Sequence, residues 1–224
     1  MSELCNNAGA TTGQARLAGH AGLTACIGLT EIGHPRPGDT VVVSAASGAV
    51  GQIAIQIARL MAARVVAIAG SPEKLAHCRA LGAAEVINHP APDLGAAPDA
   101  ACPQGVDVFF DNTGGPIHDA VMARLAVRAR VVICGRIAVV DRSPGQDIGL
   151  RASARLIVAR AMVQGLVVFD WWHRRDEAMD RLAAWHRDRH LEFREDIAHG
   201  PDQAPEAFCR MMAGRNFGKQ LVRP

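Results

Sequence analysis

The sequence predicts an α/β protein built on a doubly wound, parallel β-sheet. Short runs rich in Val and Ile alternate with segments of helical apolar spacing along most of the 224 residues. Strands buried on both faces of a sheet have such runs, and helices make the crossovers between parallel strands. The clearest pair is a strand at residues 40–44 and a helix that begins near Val50. The composition, 49% hydrophobic and 21% charged, is typical of a globular protein.

A turn of small residues joins this first strand to its helix. Ala45, Gly48 and Gly51 are spaced as A-x-x-G-x-x-G. Glycine allows the backbone to approach a pyrophosphate closely, and the N-terminus of the next helix offers free N–H groups to an anion. The spacing departs from the usual G-x-G-x-x-G pattern, so a purely structural turn is the alternative interpretation.

The end of the second strand indicates which dinucleotide would bind. Arg64–Ala69 is the predicted strand, and Ser71 and Pro72 open the following helix as cap and first-turn residues. An NAD site would carry a carboxylate here for the ribose 2′-hydroxyl. This sequence instead has Ser71 and Lys74, which favour the 2′-phosphate of NADP. The alternative is a solvated Lys74 on an exposed turn.

The other elements follow by the same reasoning. Residues 1–16 are polar and predicted to be irregular. Predicted helices lie at residues 21–32, 72–81, 116–125, 150–159, 170–190 and 205–212, with loop or one ragged helix at 89–104. Further strands are predicted at 85–88, 106–111, 129–134, 162–169, 191–196 and 219–222.

Charge and cysteine content exclude several classes of function. The net charge of +2, without a cluster of Lys and Arg, does not indicate nucleic-acid binding. The sequence has no apolar stretch of membrane-spanning length and no signal-peptide core. The six cysteines have neither C-x-x-C spacing nor zinc-like Cys/His pairing. We therefore expect a cytoplasmic protein with reduced thiols and no bound metal.

Several blocks together resemble one family. They are residues 22–25 (Gly-Leu-Thr-Ala), 43–51, 69–74, 110–115 (Phe-Asp-Asn-Thr-Gly-Gly), 133–135 (Ile-Cys-Gly) and 216–219 (Asn-Phe-Gly-Lys). From about Leu17 to the C-terminus, their order and spacing resemble the zinc-free branch of the medium-chain dehydrogenase/reductases. The resemblance is to its NADPH-dependent double-bond reductases, of the prostaglandin reductase and curcumin reductase type.

The resemblance implies a Rossmann domain that binds NADP, and it implies the contacts. The pyrophosphate would lie on Gly48, Ala49, Val50 and Gly51, and the 2′-phosphate on Lys74, beside Ser71 and His89. Asn112 would contact the cofactor near its ribose, and Asn216 would reach back to it. The nicotinamide half would meet Cys134, Gly135, Ile137, Val140, Leu166, Val167 and Val168. His89 and Val140 stand where the family has tyrosines, and this chain has no Tyr; no catalytic proton donor is identified.

The resemblance also implies an activity and a domain arrangement. The family reduces the double bond of α,β-unsaturated ketones and aldehydes. It carries a GroES-like substrate domain ahead of the helix at Gly22, and we expect this chain to lack that domain. We therefore expect an NADP-binding domain at residues 1–190 and, at 191–224, a segment that would return to that substrate domain. We further expect a homo-oligomer, formed through the tail strands or through the edge strand at 163–169.

Two other functions stay open from the sequence. The chain could be an NADP-binding module that catalyses no turnover, or a subunit whose tail strands pair with another chain. An assay of hydride transfer to a simple enone would distinguish the reductase from these two alternatives, and cofactor titration would distinguish the two alternatives from each other.

Overall fold

The computed structural model describes residues 19–143 and 145–224, so the expectation for residues 1–16 lies outside it. Six parallel strands form one sheet in the order β3-β2-β1-β4-β5-β6. This is the strand order of dinucleotide-binding sheets, and it confirms the predicted fold class. The strands are β1 Thr40–Val43, β2 Arg64–Ala69, β3 Glu85–Asn88, β4 Val106–Asp111, β5 Leu125–Ile133 and β6 Met162–Gly165.

Helices cover both faces of the sheet, as the apolar runs predict. The helices are α1 His20–Ile27, α2 Gly51–Leu60, α3 Pro72–Ala80, α4 Ala97–Ala101, α5 Gly115–Met122, α6 Ser153–Ala159, α7 Arg175–Arg187 and α8 Ala204–Met212. A π-helical turn, Gly28–Gly33, extends α1. None of the helices in the described part of the chain is long and apolar enough to cross a membrane.

The strand residues alternate between two hydrophobic cores. Val41 and Val43 pack in the core that contains α1, α2 and α7, whereas Val42 packs in the core that contains α5. All three side chains are 0% exposed. Successive residues of β1 therefore each need an apolar side chain, which explains the run of three valines in this strand.

Three predicted strands have different bounds in the structure. β5 begins at Leu125 rather than at 129, because Leu125 already pairs with Val106 of β4. The pairing then shifts register before Arg130, and Arg128 adopts a left-handed conformation there (φ 65°). β6 ends at Gly165, after which a 3₁₀ helix begins at Val168. The bounds predicted for the strand at 191–196 are wrong, since β7 is Glu195–His199 and therefore begins four residues later and ends three residues later.

The C-terminal region forms a separate parallel pair of strands. β7 pairs with β8, Lys219–Arg223, and α8 connects them. The pair lies outside the six-stranded sheet, but Gly218 forms an isolated parallel bridge with Gly48 in the turn after β1. The C-terminal region therefore contacts the turn that the sequence assigns to phosphate binding.

Candidate cofactor site

A cleft of about 540 Å³ lies at the carboxyl ends of the central strands. The strand order reverses between β1 and β4, and ligands of such sheets bind outside the carboxyl ends of the strands at that reversal. The cleft brings together twelve of the residues selected from the sequence: Gly48, Ala49, Val50, Gly51, Asn112, Cys134, Gly135, Ile137, Leu166, Val167, Val168 and Asn216.

The turn between β1 and α2 is shaped around the carbonyl of Ala45. This residue has a φ of 44°, and its carbonyl oxygen accepts a 2.9 Å hydrogen bond from the N–H of Gly48. A Cβ atom at Gly51 would overlap the same oxygen and the backbone of Ala46, so glycine is required there. Ala45 thus adopts the left-handed conformation that glycine commonly supplies in tight turns.

The start of α2 offers hydrogen-bond donors to the cleft. In the described part of the chain, the N–H groups of Val50 and Gly51 donate to no acceptor. Both residues line the cleft. Free N–H groups and the positive end of the helix dipole favour an anion at this position. The geometry therefore suits the pyrophosphate predicted from the A-x-x-G-x-x-G spacing.

Asp111, at the end of β4, organises the floor of the cleft. Its buried carboxylate accepts hydrogen bonds from Ser44 Oγ (2.9 Å) and from the N–H groups of Thr113 (2.9 Å) and Gly114 (3.1 Å). Its second oxygen lies 2.8 Å from His118 Nδ1. Burial raises the pKa of Asp111, but the hydrogen bonds from His118 and these neighbours outweigh it, so the pKa is lowered overall. The hydrogen bond to Asp111 raises the pKa of His118.

The same strand end fixes the orientation of Asn112. Its side-chain amide donates to the carbonyl of Ser44 (2.7 Å), and its backbone N–H donates to Ser44 Oγ (2.8 Å). Asn112 therefore bridges the ends of β1 and β4, where the strand order reverses. Its amide oxygen has no partner among the hydrogen bonds of the described residues.

The loop after β5 forms the next part of the wall. The N–H groups of Cys134 and Gly135 donate to the carbonyl of Asp111, at 2.8 and 3.1 Å. A Cβ atom at Gly135 would lie 2.9 Å from the carbonyl oxygen of Asn112, so the absence of a side chain allows the two backbones to lie this close together. Burial raises the pKa of Cys134 to about 12, so it is a thiol and not a nucleophile at neutral pH. Val140 is 49% exposed and does not line the cleft.

Residues 213–218, the C-terminal strap, form the opposite wall. The N–H of Gly218 donates to the carbonyl of Ser47 (3.1 Å), and the side-chain amide of Asn216 donates to the carbonyl of Gly218 (3.0 Å). Asn216 and Gly218 line the cleft. Gly218 has a φ of 83°, and a Cβ atom there would overlap the carbonyl of Arg194, so this position also requires glycine.

Two buried glutamines of α2 hold the segment that supports the strap. Gln52 accepts from the N–H of Arg194 (2.7 Å) and donates to its carbonyl (3.0 Å). Gln56 makes the same pair of bonds with Glu192, at 2.8 and 2.7 Å. These side chains satisfy the N–H and carbonyl groups of Glu192 and Arg194, so this segment bonds mainly to α2 rather than to a strand. The carbonyl of Arg194 also accepts from the N–H of Lys219 (3.0 Å), the residue that follows the strap.

Of the four remaining predicted residues, all but Val140 lie in a second pocket of about 440 Å³, on the other side of the strap. Ser71, Lys74 and His89 line it. Ser71 caps α3 by accepting from the N–H of Lys74 (3.3 Å), as predicted, while Lys74 Nζ donates to the carbonyl of Gly214 (2.7 Å). Burial lowers the pKa of Lys74 and, together with the Lys74 charge, that of His89.

Several lining residues were not identified from the sequence. Arg215 lines the second pocket, because the strap alternates: Asn216 and Gly218 face the cleft, and Arg215 and Phe217 face the second pocket. His20, Thr24, Phe169, Met211, Lys219 and Gln220 also line the cleft. They come from α1 and from the C-terminal region, which long-range packing brings to the sheet, so no local motif identifies them.

No group of three or more His, Cys, Asp or Glu side chains within residues 19–143 and 145–224 could hold a metal ion. The polar side chains that line the two pockets include two imidazoles, three amides and three cationic groups: His20, His89, Asn112, Asn216, Gln220, Lys74, Arg215 and Lys219.

Comparisons with known proteins agree with this geometry. A family model described as zinc-binding dehydrogenase matches residues 49–184. The protein YfmJ of Bacillus subtilis is 44% identical over 210 residues, which are 92% of this chain and 62% of YfmJ. The NADPH-dependent curcumin reductase of Escherichia coli is 36% identical over 210 residues, 92% of this chain and 61% of the reductase. The crystal structure of CurA from Vibrio vulnificus in complex with NADPH superposes with a TM-score of 0.88 at 38% identity, covering 92% of this chain and 63% of CurA. The chain thus spans about three fifths of the length of these relatives.

Proposed function

Because this chain belongs to the zinc-binding dehydrogenase family, we propose that it is an NADP(H)-dependent oxidoreductase of the double-bond reductase type. Its substrates would be small α,β-unsaturated ketones and aldehydes. Relatives that include a curcumin reductase support this reaction class. The structure of CurA with NADPH supports the cofactor.

One observation carries the proposal: the glycine turn, the end of β4, the loop after β5 and the C-terminal strap meet in one cleft. The site also fits a dinucleotide in detail. The backbone around Gly51 leaves no space for a side chain, and the N–H groups of Val50 and Gly51 are free among the described residues. These are the features that a pyrophosphate requires.

Bound NADPH would supply a hydride, and the residues of the chain would bind and orient the cofactor. Asn112 and Asn216 would contact the cofactor from opposite walls of the cleft. Cys134 and Leu166–Val168 would pack beside the nicotinamide and exclude water from one of its faces. Val140, in contrast, is not among the side chains that line the cleft.

The second pocket would select NADP over NAD. It contains Ser71, Lys74 and His89, and the end of β2 carries no carboxylate for a ribose 2′-hydroxyl. Glu73 also lines this pocket, but its exposed carboxylate lies 3.6 Å from Arg194. Lys74 would leave the carbonyl of Gly214 to bind the phosphate.

Calorimetric titration with NADPH and NADH tests the choice of cofactor. One charge-assisted phosphate contact contributes roughly 1.5–3 kcal/mol, so Lys74→Ala should lower NADPH affinity about tenfold to a hundredfold. The affinity for NADH should not change. Equal affinity of the wild type for NADPH and NADH would refute the proposed specificity.

An NADPH-oxidation assay with cyclohex-2-enone tests the reaction. Oxidation that depends on the enone supports the reductase. NADPH binding without oxidation would favour the alternative, an NADP-binding module that catalyses no turnover.

We also propose the domain division and the assembly. The boundary near residue 190 is supported by the separation of β7 and β8 from the six-stranded sheet. A homodimer is supported by β6, an edge strand on which Met162 and Val163 are exposed. A cytoplasmic location is supported by the five free cysteines of the described region. Sedimentation at micromolar concentration tests the dimer: a monomer would contradict it.

A further inference from the structure

We propose that His20 donates the proton that completes the reduction at the nicotinamide end of the cleft. This inference rests on the proposed function and adds the proton donor, for which the sequence offered no candidate. His20 is the first residue of α1, its side chain is exposed, and it lines the cleft together with Thr24.

The imidazole of His20 lies beside the segment assigned to the nicotinamide. Its ring centroid is 5.7 Å from that of Phe169, with an interplanar angle of 55°. Phe169 directly follows Leu166–Val168 and lines the same cleft. The backbone that carries the imidazole is held within its own helix, since Thr24 Oγ1 donates to the backbone carbonyl of His20 (2.7 Å).

The hydroxyl of the cleft already donates its proton, and carboxamides do not release a proton near neutral pH. Thr24 donates to His20, and Asn112 donates to the carbonyl of Ser44. The side-chain amides of Asn216 and Gln220 likewise donate to backbone carbonyls. Within the described residues, the imidazole of His20 has no hydrogen-bond partner, so its nitrogens are available to a ligand.

Two further protic side chains line the cleft, and both are less suitable. Cys134 is a weak donor because burial raises its pKa to about 12. Lys219 follows Gly218, which bridges to Gly48 of the phosphate turn, so its backbone lies at the pyrophosphate end. Imidazole is the side chain most often used to transfer protons near neutral pH, because it both releases and recovers one there.

The step balances as follows. The electron pair of the new C–H bond at the β-carbon comes from the bound reduced nicotinamide, and the π pair of the alkene moves toward the carbonyl. The resulting enolate of the substrate takes one proton from an imidazole nitrogen of His20, which gives the saturated ketone. Because His20 is exposed, it recovers a proton from water. In total, one enone, one NADPH and one proton give one saturated ketone and one NADP⁺.

Steady-state kinetics with cyclohex-2-enone provide the first test. General acid catalysis contributes about a hundredfold or more, so His20→Gln should lower kcat about a hundredfold. The Kd for NADPH and the KM for the enone should stay near the wild-type values. His190→Gln, an exposed histidine in the loop after α7, is the matched control and should leave kcat unchanged. An unchanged kcat in His20→Gln would overturn the proposal.

A second readout does not depend on turnover. The imidazole resonance of His20 can be assigned among those of the nine histidines because it disappears from the NMR spectrum of His20→Gln. It should shift when cyclohexanone is added to the complex with NADP⁺, while the His190 resonance should not. No shift would overturn the proposal, even in a chain that turns over slowly. If the wild type binds no NADPH, the proposed function fails and the proton donor fails with it; if it binds NADPH and only the His20 results are negative, the proposed function stands.

Discussion

The two walls of the cofactor cleft differ in what holds them in place. One wall consists of the ends of β1, β4 and β5, whose residues Val41–Val43 and Phe110 are 0% exposed in the central sheet. The other wall is the C-terminal strap, which the glutamines of α2 and the Gly48–Gly218 bridge attach to the domain. Its neighbouring strands, β7 and β8, are only half-buried.

This difference indicates two kinds of stability within one site. The first wall can move only if the sheet core unfolds, because its residues pack in both hydrophobic cores. The strap is attached by a small number of hydrogen bonds and by the packing of Phe217 against Arg194 and His77, so it can open at a lower free energy than global unfolding. Cofactor would therefore meet one rigid wall and one wall that closes over it.

The largest effect is expected in the rigid wall, from Gly51→Val. The added side chain would overlap the carbonyl of Ala45 and the backbone of Ala46, and we expect a loss of about 3 kcal/mol in the free energy of unfolding. NADPH binding should be lost as well. Urea denaturation and calorimetry measure both. Gly95→Val is the control, since no atom lies within 4 Å of its Cβ position; equal stability of the two variants would show that the turn is not rigid.

The strap should respond locally to Gln52→Leu. The substitution leaves the N–H of Arg194 without a partner, at a cost of about 2 kcal/mol, and removes one of the two donors to its carbonyl, which keeps the hydrogen bond from Lys219. Hydrogen exchange should accelerate at residues 192–223 and not in β1 or β4. Gln203→Leu, the same change at an exposed position of the C-terminal region, should not alter exchange. Equal acceleration in β1 would mean that the two walls open together.

A smaller effect is expected from Arg215→Ala, which tests whether the strap also contacts the 2′-phosphate. Arg215 lines the second pocket with Lys74. Its loss should weaken NADPH about tenfold, at the low end for a charge-assisted contact because Arg215 is exposed. NADH affinity should be unchanged. Arg187→Ala, which removes the same charge from α7, controls for long-range electrostatics. An equal loss of NADPH affinity in that variant would mean that Arg215 does not contact the 2′-phosphate.

The smallest effect concerns the Asp111–His118 pair beneath the rigid wall. The pKa of His118 is raised in the folded state, so its contribution is complete below the unfolded value of about 6.5 and is lost as the pH rises through the folded value. The pKa of Asp111 is lowered, so its contribution is lost only in acid. His118→Gln should therefore cost about 1 kcal/mol near pH 5.5 and less near pH 8.5.

Denaturation of the wild type and of His118→Gln at both pH values measures this difference. His190→Gln should show no such dependence, because its side chain is exposed and distant from β4 in the chain. A constant difference between the wild type and His118→Gln across this range would mean that the pair does not titrate as described.

The candidate site was predictable where local sequence carries the chemistry. The strands Arg64–Ala69, Glu85–Asn88 and Val106–Asp111 have the bounds predicted from their apolar runs. The cap at Ser71 is formed as predicted. Bounds were wrong at β5, β6 and β7, where pairing across a register shift, a turn into a 3₁₀ helix and side chains of another helix set the strand ends.

The sequence by itself determined the doubly wound sheet and the glycine turn, because burial on both faces and close backbone packing restrict residue types over a few neighbouring positions. Only the tertiary structure decided that the strap separates the cleft from the second pocket. It also decided that His20 lines the cleft, that Arg215 lines the second pocket, and that the two glutamines of α2 hold the segment beside the strap. These residues meet through contacts between positions more than a hundred apart in the chain, such as Gln52 with Arg194, 142 positions apart. Such contacts restrict no local pattern of residue types, so no window of sequence records them.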